Sequence, residues 1–125
     1  MSHKYSVRII AIDPLVEDWI VIYVNGTTLT CFLSYSPSVI EVGKTYEANF
    51  EIVLPDELQI SKIETSETRI ETNTNCFPCV IYGYMEGDFI QSLVDFEDQG
   101  IHFDYPYLNG QFVKINATRI DVSLR

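Results

Sequence analysis

Apolar and polar positions alternate along most of this chain, and the alternation is clearest on either side of Asn25-Gly26. Residues 18–24 (DWIVIYV) and 27–35 (TTLTCFLSY) read as two strands joined by that dipeptide. A two-residue type I′ turn needs φ > 0 at both central positions, which Asn-Gly supplies at least cost. The turn sets the register, opposing Val24 to Thr27, Ile22 to Leu29 and Ile20 to Cys31. One face then carries Ile20, Ile22, Val24, Thr27, Leu29, Cys31 and Leu33, and is expected to be core. The other carries Trp19, Val21, Tyr23, Thr28, Thr30 and Phe32, an amphipathic surface suited to a covering element or a ligand.

Residues 4–12 (KYSVRIIAI) read as an earlier strand closed by Asp13-Pro14, and Ser36-Pro37-Ser38 marks a loop after the hairpin. In 44–54, Tyr46, Ala48, Phe50, Ile52 and Leu54 alternate with Glu47, Asn49 and Glu51, the pattern of a half-buried antiparallel strand. Residues 57–75 fit neither period and predict an irregular or short helical excursion. Strand character returns at 79–85 and at 89–95, separated by the turn Glu86-Gly87-Asp88. A short extended piece at 101–105 leads to Pro106. Asn109-Gly110 supplies another turn before one long strand over 111–124, on which Ile120, Val122 and Leu124 alternate. Seven or eight strands without a strong helix predict an all-β domain, a small antiparallel barrel or sandwich, with an OB-like barrel the preferred version.

Length and composition narrow this picture. A chain of 125 residues suits one domain spanning 1–125 and leaves no room for two independent cores. Eight tyrosines, seven phenylalanines and many β-branched residues favour strands. No apolar run approaches the roughly 20 residues of a membrane-spanning helix, and the opening Met1-Ser2-His3-Lys4-Tyr5 lacks the apolar stretch of a signal peptide. Three cysteines, an odd number, suit reduced thiols better than a disulfide framework. The expected location is therefore cytoplasmic.

The charge excludes some partners. Only eight Lys and Arg stand against eighteen Asp and Glu, a net charge of −10, and the cations are scattered singly. Nucleic acid and anionic membrane are poor partners for such a surface, because both are bound by clustered cations. A basic protein is favoured, since complementary charge speeds encounter and rejects wrong partners.

Candidate chemistry is sparse. Cys76-Phe77-Pro78-Cys79 matches a redox dithiol spacing, but the next six residues (VIYGYM) read as a strand where a reactive thiol wants a helix N-terminus. Zinc needs four ligands as a rule, and Cys31, His3 and His102 do not show partner spacing. His102 lies in IHFDY, where alternation with Ile101 and Phe103 points it outward. Phosphate-binding loops, nucleophile elbows and H-E-x-x-H are missing, so neither an enzyme, a metal nor a cofactor is expected. The Asp95–Gly100 run also lacks the alternating oxygen ligands of a calcium loop.

The stretch 86–104 is more informative. It holds Glu86, Asp88, Asp95, Glu97, Asp98 and Asp104 with no Lys or Arg, interleaved with or followed by Phe89, Phe96, Phe103, Tyr105 and Tyr107. An acidic run is ordinarily a solvated face. Aromatic anchors beside orienting charges are also what protein-binding hot spots are made of. The expectation is a non-enzymatic protein-binding module that grips a basic partner through Asp95, Glu97, Asp98, Asp104, Tyr105 and Tyr107. On an extended backbone, Phe103, Tyr105 and Tyr107 would share one face. A toxin-neutralising immunity or inhibitor protein is one concrete instance, because an acidic inhibitor can fill the basic cleft of a nuclease toxin. Two alternatives stand beside it: a small-ligand or oligosaccharide-binding barrel using Trp19 and Tyr23 as a stacking platform, and a structural subunit burying that same face in a homodimer.

Overall fold

The computed structural model describes residues 4–13, 15, 18–37, 39–73 and 76–125. His3, Pro14 and Ser38, singled out above, lie outside the described residues. The chain is mainly β. Strands β1 (Tyr5–Ile12), β2 (Trp19–Val24), β3 (Thr27–Tyr35), β4 (Thr45–Val53) and β11 (Arg119–Leu124) close a five-stranded barrel in the order β1-β2-β3-β11-β4. Every pairing is antiparallel except that of β11 with β3, which is parallel. The expected all-β architecture holds, with this one parallel seam in the barrel.

The strands between β4 and β11 form a second sheet. Its path is β5 (Ile60–Lys62), β10 (Phe112–Ala117), β7 (Cys76–Glu86), β8 (Phe89–Gln91) and β9 (Asp95–Glu97), with β6 (Ile70–Asn73) also paired to β7. A helix α1 (Gln99–Asp104) and one 3-10 turn (Pro106–Leu108) join β9 to β10.

The hairpin register is the one expected: Val24 opposes Thr27, Ile22 opposes Leu29 and Ile20 opposes Cys31. Asn25 and Gly26 have φ of 49° and 84°, as a type I′ turn requires. Ile20, Ile22, Val24, Leu29 and Cys31 are buried with Val7, Ile9, Ala48, Phe50, Ile120, Val122 and Leu124 inside the barrel. The second sheet buries Ile81, Met85, Ile90, Phe96, Val113 and Ile115, and the two sets form one contiguous core. Each large apolar side chain among them contributes about 1.5–3 kcal/mol.

Four expectations are corrected. Residues 101–104 are helical rather than extended and Tyr105 only closes the helix, because Asp98 caps a turn on which Ile101 is buried. The strand expected over 111–124 is two, broken at Thr118, whose amide donates to the Val53 carbonyl at 2.8 Å. Buried positions are odd-numbered before the break (Val113, Ile115, Ala117) and even-numbered after it (Ile120, Val122, Leu124). A one-residue slip moves the apolar set to the other face, so the chain turns there from one sheet into the other. The single strand expected over 89–95 is replaced by a hairpin of β8 and β9 that runs from Phe89 to Glu97. The excursion 57–75 holds two short strands and, among the described residues, no helix.

Candidate protein-binding surface

The acidic segment hangs on the far edge of the second sheet. Among the described residues β9 pairs only with β8, aligning Glu97 with Phe89 and Asp95 with Gln91. Along it, Phe96 is fully buried, which turns Asp95 and Glu97 to the opposite side. Two hydrogen bonds tie this hairpin to the barrel. The Asp95 amide donates to the Tyr5 hydroxyl at 2.8 Å, and Asn25 Nδ2 donates to the Leu93 carbonyl at 2.9 Å. Burial pushes the Tyr5 hydroxyl pKa up and the nearby Asp95 carboxylate adds to this, while the hydrogen bond from the Asp95 amide pulls the other way.

The β7–β8 turn joins the same surface. The Asp98 amide donates to the Asp88 carbonyl at 2.8 Å, and the Gly87 amide donates to Asn109 Oδ1 at 2.8 Å. Asp88, Glu97 and Asp98 are thereby held together, and Asp88 belongs with the residues expected from the sequence. Asp98 also caps α1, accepting from the Ile101 amide at 3.0 Å. Only six residues long, α1 spans about 9 Å, so Phe103 and Asp104 at its far end stay close to that acidic corner.

Exposure separates the aromatic residues. Phe96 is sealed in the core, whereas Phe103 is 83% exposed and Tyr107 is 73% exposed. Tyr105 is half-buried and meets Tyr107 edge-on at 6.2 Å between ring centroids. The shared strand face expected for Phe103, Tyr105 and Tyr107 does not exist, since the helix and the 3-10 turn interrupt it. Phe103, absent from the contact residues expected from the sequence, is the most exposed aromatic side chain among the described residues. Its signal was helical spacing: Ile101, Tyr105 and Leu108 form the inward stripe at i, i+4 and i+7, and Phe103 falls opposite.

Four of the cations form ion pairs elsewhere. Lys4 pairs with Glu47 at 3.2 Å, Lys44 with Glu41 at 3.0 Å and Arg119 with Asp121 at 2.7 Å. Arg69 bonds Glu67 and Glu71 and lies 4.0 Å from the Tyr82 ring centroid.

The alternative surface on the barrel wall is partly occupied. Phe32 meets Phe77 of β7 edge-on at 5.8 Å, Arg119 lies 4.0 Å from the Phe32 centroid, and Thr30 is buried. Trp19 is half-buried opposite Phe32 in the ladder. Tyr23 remains 41% exposed, with the Arg8 guanidinium 5.5 Å from its ring centroid.

Cys76 and Cys79 both lie on β7, the first exposed and the second buried, with no helix terminus to lower a thiol pKa. Burial instead pushes Cys79 up to about 11, and Cys31 is pushed up further by burial and by the neighbouring Cys79 and Asp121. His102 is half-buried, and its Nδ1 is enclosed without a hydrogen-bond partner. Among the described residues no three His, Cys, Asp or Glu side chains are grouped to hold a metal ion, and no helix is long and apolar enough to cross a membrane.

Comparison with known proteins places the chain. Residues 3–125 match the family described as uncharacterised conserved protein UCP019853. The chain belongs to that family. The match spans barrel, second sheet and acidic segment alike, so all three lie within the UCP019853 unit. No curated protein and no solved structure matches the chain.

Proposed function

We propose that this chain is a non-enzymatic module that binds a basic protein through the surface of β9, α1 and the turn after it. One observation carries the reading: Phe103 and Tyr107 project into solvent from a segment with six acids and no Lys or Arg. An exposed ring has a reason to stand there if a partner buries it, and acids around it steer and register a cationic surface. Asp88, Glu97, Asp98 and Asp104 supply that charge, Tyr105 supports Tyr107, and Asp95 anchors the strand. An inhibitor seated in the basic cleft of an enzyme, as an immunity protein sits on a nuclease toxin, is the instance this arrangement suits best. Three unpaired thiols suit a reducing cytoplasm.

The barrel, with β11 parallel to β3, is read as OB-like. Such barrels commonly bind saccharides or nucleic acid on the β2–β3 face. Here Phe77 and Arg119 already cover Phe32, which favours the acidic surface over a platform at Trp19 and Tyr23.

The two kinds of residue separate kinetically. Against the captured partner, Glu97→Lys with Asp104→Lys is expected to slow association at least tenfold at low salt, with the difference shrinking as salt rises. Phe103→Ala is expected to speed dissociation while leaving association nearly unchanged. Unchanged rates for both variants would refute the assignment.

A further inference from the structure

Asparagine followed by glycine is the dipeptide in which the backbone attacks its own side chain most readily, because glycine has no Cβ to hinder its amide nitrogen. The chain has this pair at Asn25-Gly26 and at Asn109-Gly110, and all four residues are exposed. The structure treats the two nucleophiles differently. The Gly110 amide donates to the Met85 carbonyl at 2.7 Å. The Gly26 amide makes no hydrogen bond among the described residues, and a Cβ placed on Gly26 would meet nothing within 4 Å. Each asparagine side chain makes one hydrogen bond: Asn25 Nδ2 donates to the Leu93 carbonyl at 2.9 Å, and Asn109 Oδ1 accepts from the Gly87 amide at 2.8 Å. The glycine nitrogen is therefore what sets the two sites apart.

Backbone shape favours Asn25 as well. Closing a five-membered imide on an L-residue brings the Cβ–Cα–C–N torsion near zero, so ψ lies at roughly −120°, which with φ > 0 is the first central position of a type II′ turn. Asn25 already has φ of 49°. Types I′ and II′ both close two-residue hairpins and are exchanged by a flip of the central peptide, so the ring can form while the β2–β3 ladder stays paired. Asn109, with φ of −60°, lies outside that conformation.

We propose that Asn25 is a self-modification site whose conversion loosens the β8–β9 hairpin from the barrel. The Gly26 nitrogen bonds to Asn25 Cγ, the Cγ–Nδ2 bond breaks, and the displaced nitrogen leaves as ammonia carrying the Gly26 amide proton. Water then opens the imide at either carbonyl, leaving aspartate or isoaspartate at position 25. Either product replaces the donor to Leu93 by a carboxylate, and isoaspartate also adds one backbone carbon to the turn. The Asp95 amide bond to the Tyr5 hydroxyl is then left to hold the hairpin. The modification stands whether or not the acidic surface binds a basic protein.

Peptide mapping by mass spectrometry tests it on the full chain, incubated in mildly alkaline buffer and followed by the mass gain of amide-to-acid conversion at each site. Freeing the Gly110 amide costs about one net hydrogen bond, so Asn25 is expected to convert roughly fivefold faster than Asn109, or more. In urea the two rates should converge. Equal rates in the folded chain, earlier conversion of Asn109, or an Asn25 that converts only in urea would overturn the proposal. Asn25→Asp reproduces one product directly, and Asp-Gly suits the same turn, so the fold is expected to survive. Amide exchange at Asp95 should quicken severalfold in this variant while that at Ile22, inside the barrel, holds; unaltered exchange at Asp95 would overturn the loosening.

Discussion

The Tyr5 hydroxyl is the strongest test of how the acidic surface is held. β9 is a three-residue edge strand, too short to be positioned by its ladder alone. Its Asp95 amide donates to Tyr5 Oη at 2.8 Å, and the Tyr5 ring packs edge-on against Phe50 at 5.8 Å. Tyr5→Phe keeps the ring and its packing but leaves the Asp95 N–H without its acceptor. A net hydrogen bond is worth ~0.5–1.5 kcal/mol, and an orphaned donor that is partly shielded from water costs ~1–3 kcal/mol. The site is only part-buried, so the expected loss is about 1–2 kcal/mol, a few degrees in Tm for a chain of this size. Urea unfolding measures the global loss, and amide exchange measures the local one. Asp95 exchange should accelerate more than that of Ile20 or Ile22 inside the barrel. A change below about 0.5 kcal/mol with unaltered Asp95 protection would refute the idea that Tyr5 tethers β9.

Other perturbations probe other links. Gly83→Ala would set a Cβ 2.8 Å from the Gln91 carbonyl oxygen, a backbone atom, so β8 must shift; a loss of about 1–2 kcal/mol in urea is expected after the usual Gly→Ala gain, and unchanged stability would contradict the β7–β8 register. Asp98→Ala removes the α1 cap and should cost about 1 kcal/mol, whereas Asp98→Asn keeps the cap and should cost little, as parallel thermal melts will show. Thiol labelling of the native chain should modify Cys76 alone, with Cys31 and Cys79 reacting only after unfolding; equal rates would show the burial to be wrong. In the pH range above a thiol's usual 9.0, the unfolded chain loses protons that folded Cys79 keeps until about 11. Stability should therefore fall as pH rises through that window, and Cys79→Ala should flatten the slope.

The hairpin was legible because its turn chemistry and its alternation agree, and local agreement of that kind fixes register. The corner at Thr118 was equally visible as a change of parity between Ile115 and Ile120, but alternation on both sides disguised it as one strand. Helix α1 was hidden for a related reason. Ile101 and Phe103 alternate like strand residues, while the competing stripe Ile101, Tyr105, Leu108 continues past Pro106 and shows only over a longer window. The short strands β5 and β6 carry too few apolar residues to show a period and owe their conformation to pairing with β10 and β7. At the candidate site, the acidic composition was read directly. Which ring was free was not, because exposure is a tertiary property: Phe96 and Phe103 look alike in the sequence and differ completely in burial.

The claim that this surface recognises a basic protein is tested most directly by paired capture from the native source. Wild-type chain and the Glu97→Lys, Phe103→Ala, Asp104→Lys variant are immobilised side by side at low and moderate salt, and the retained proteins are identified by mass spectrometry. Asp98 is left alone because it caps α1. The account predicts a basic protein held by the wild-type chain, held less as salt rises, and missing from the variant. Retention of the same protein by the variant with the same salt dependence, or no basic protein on the wild-type chain at either salt, would contradict it.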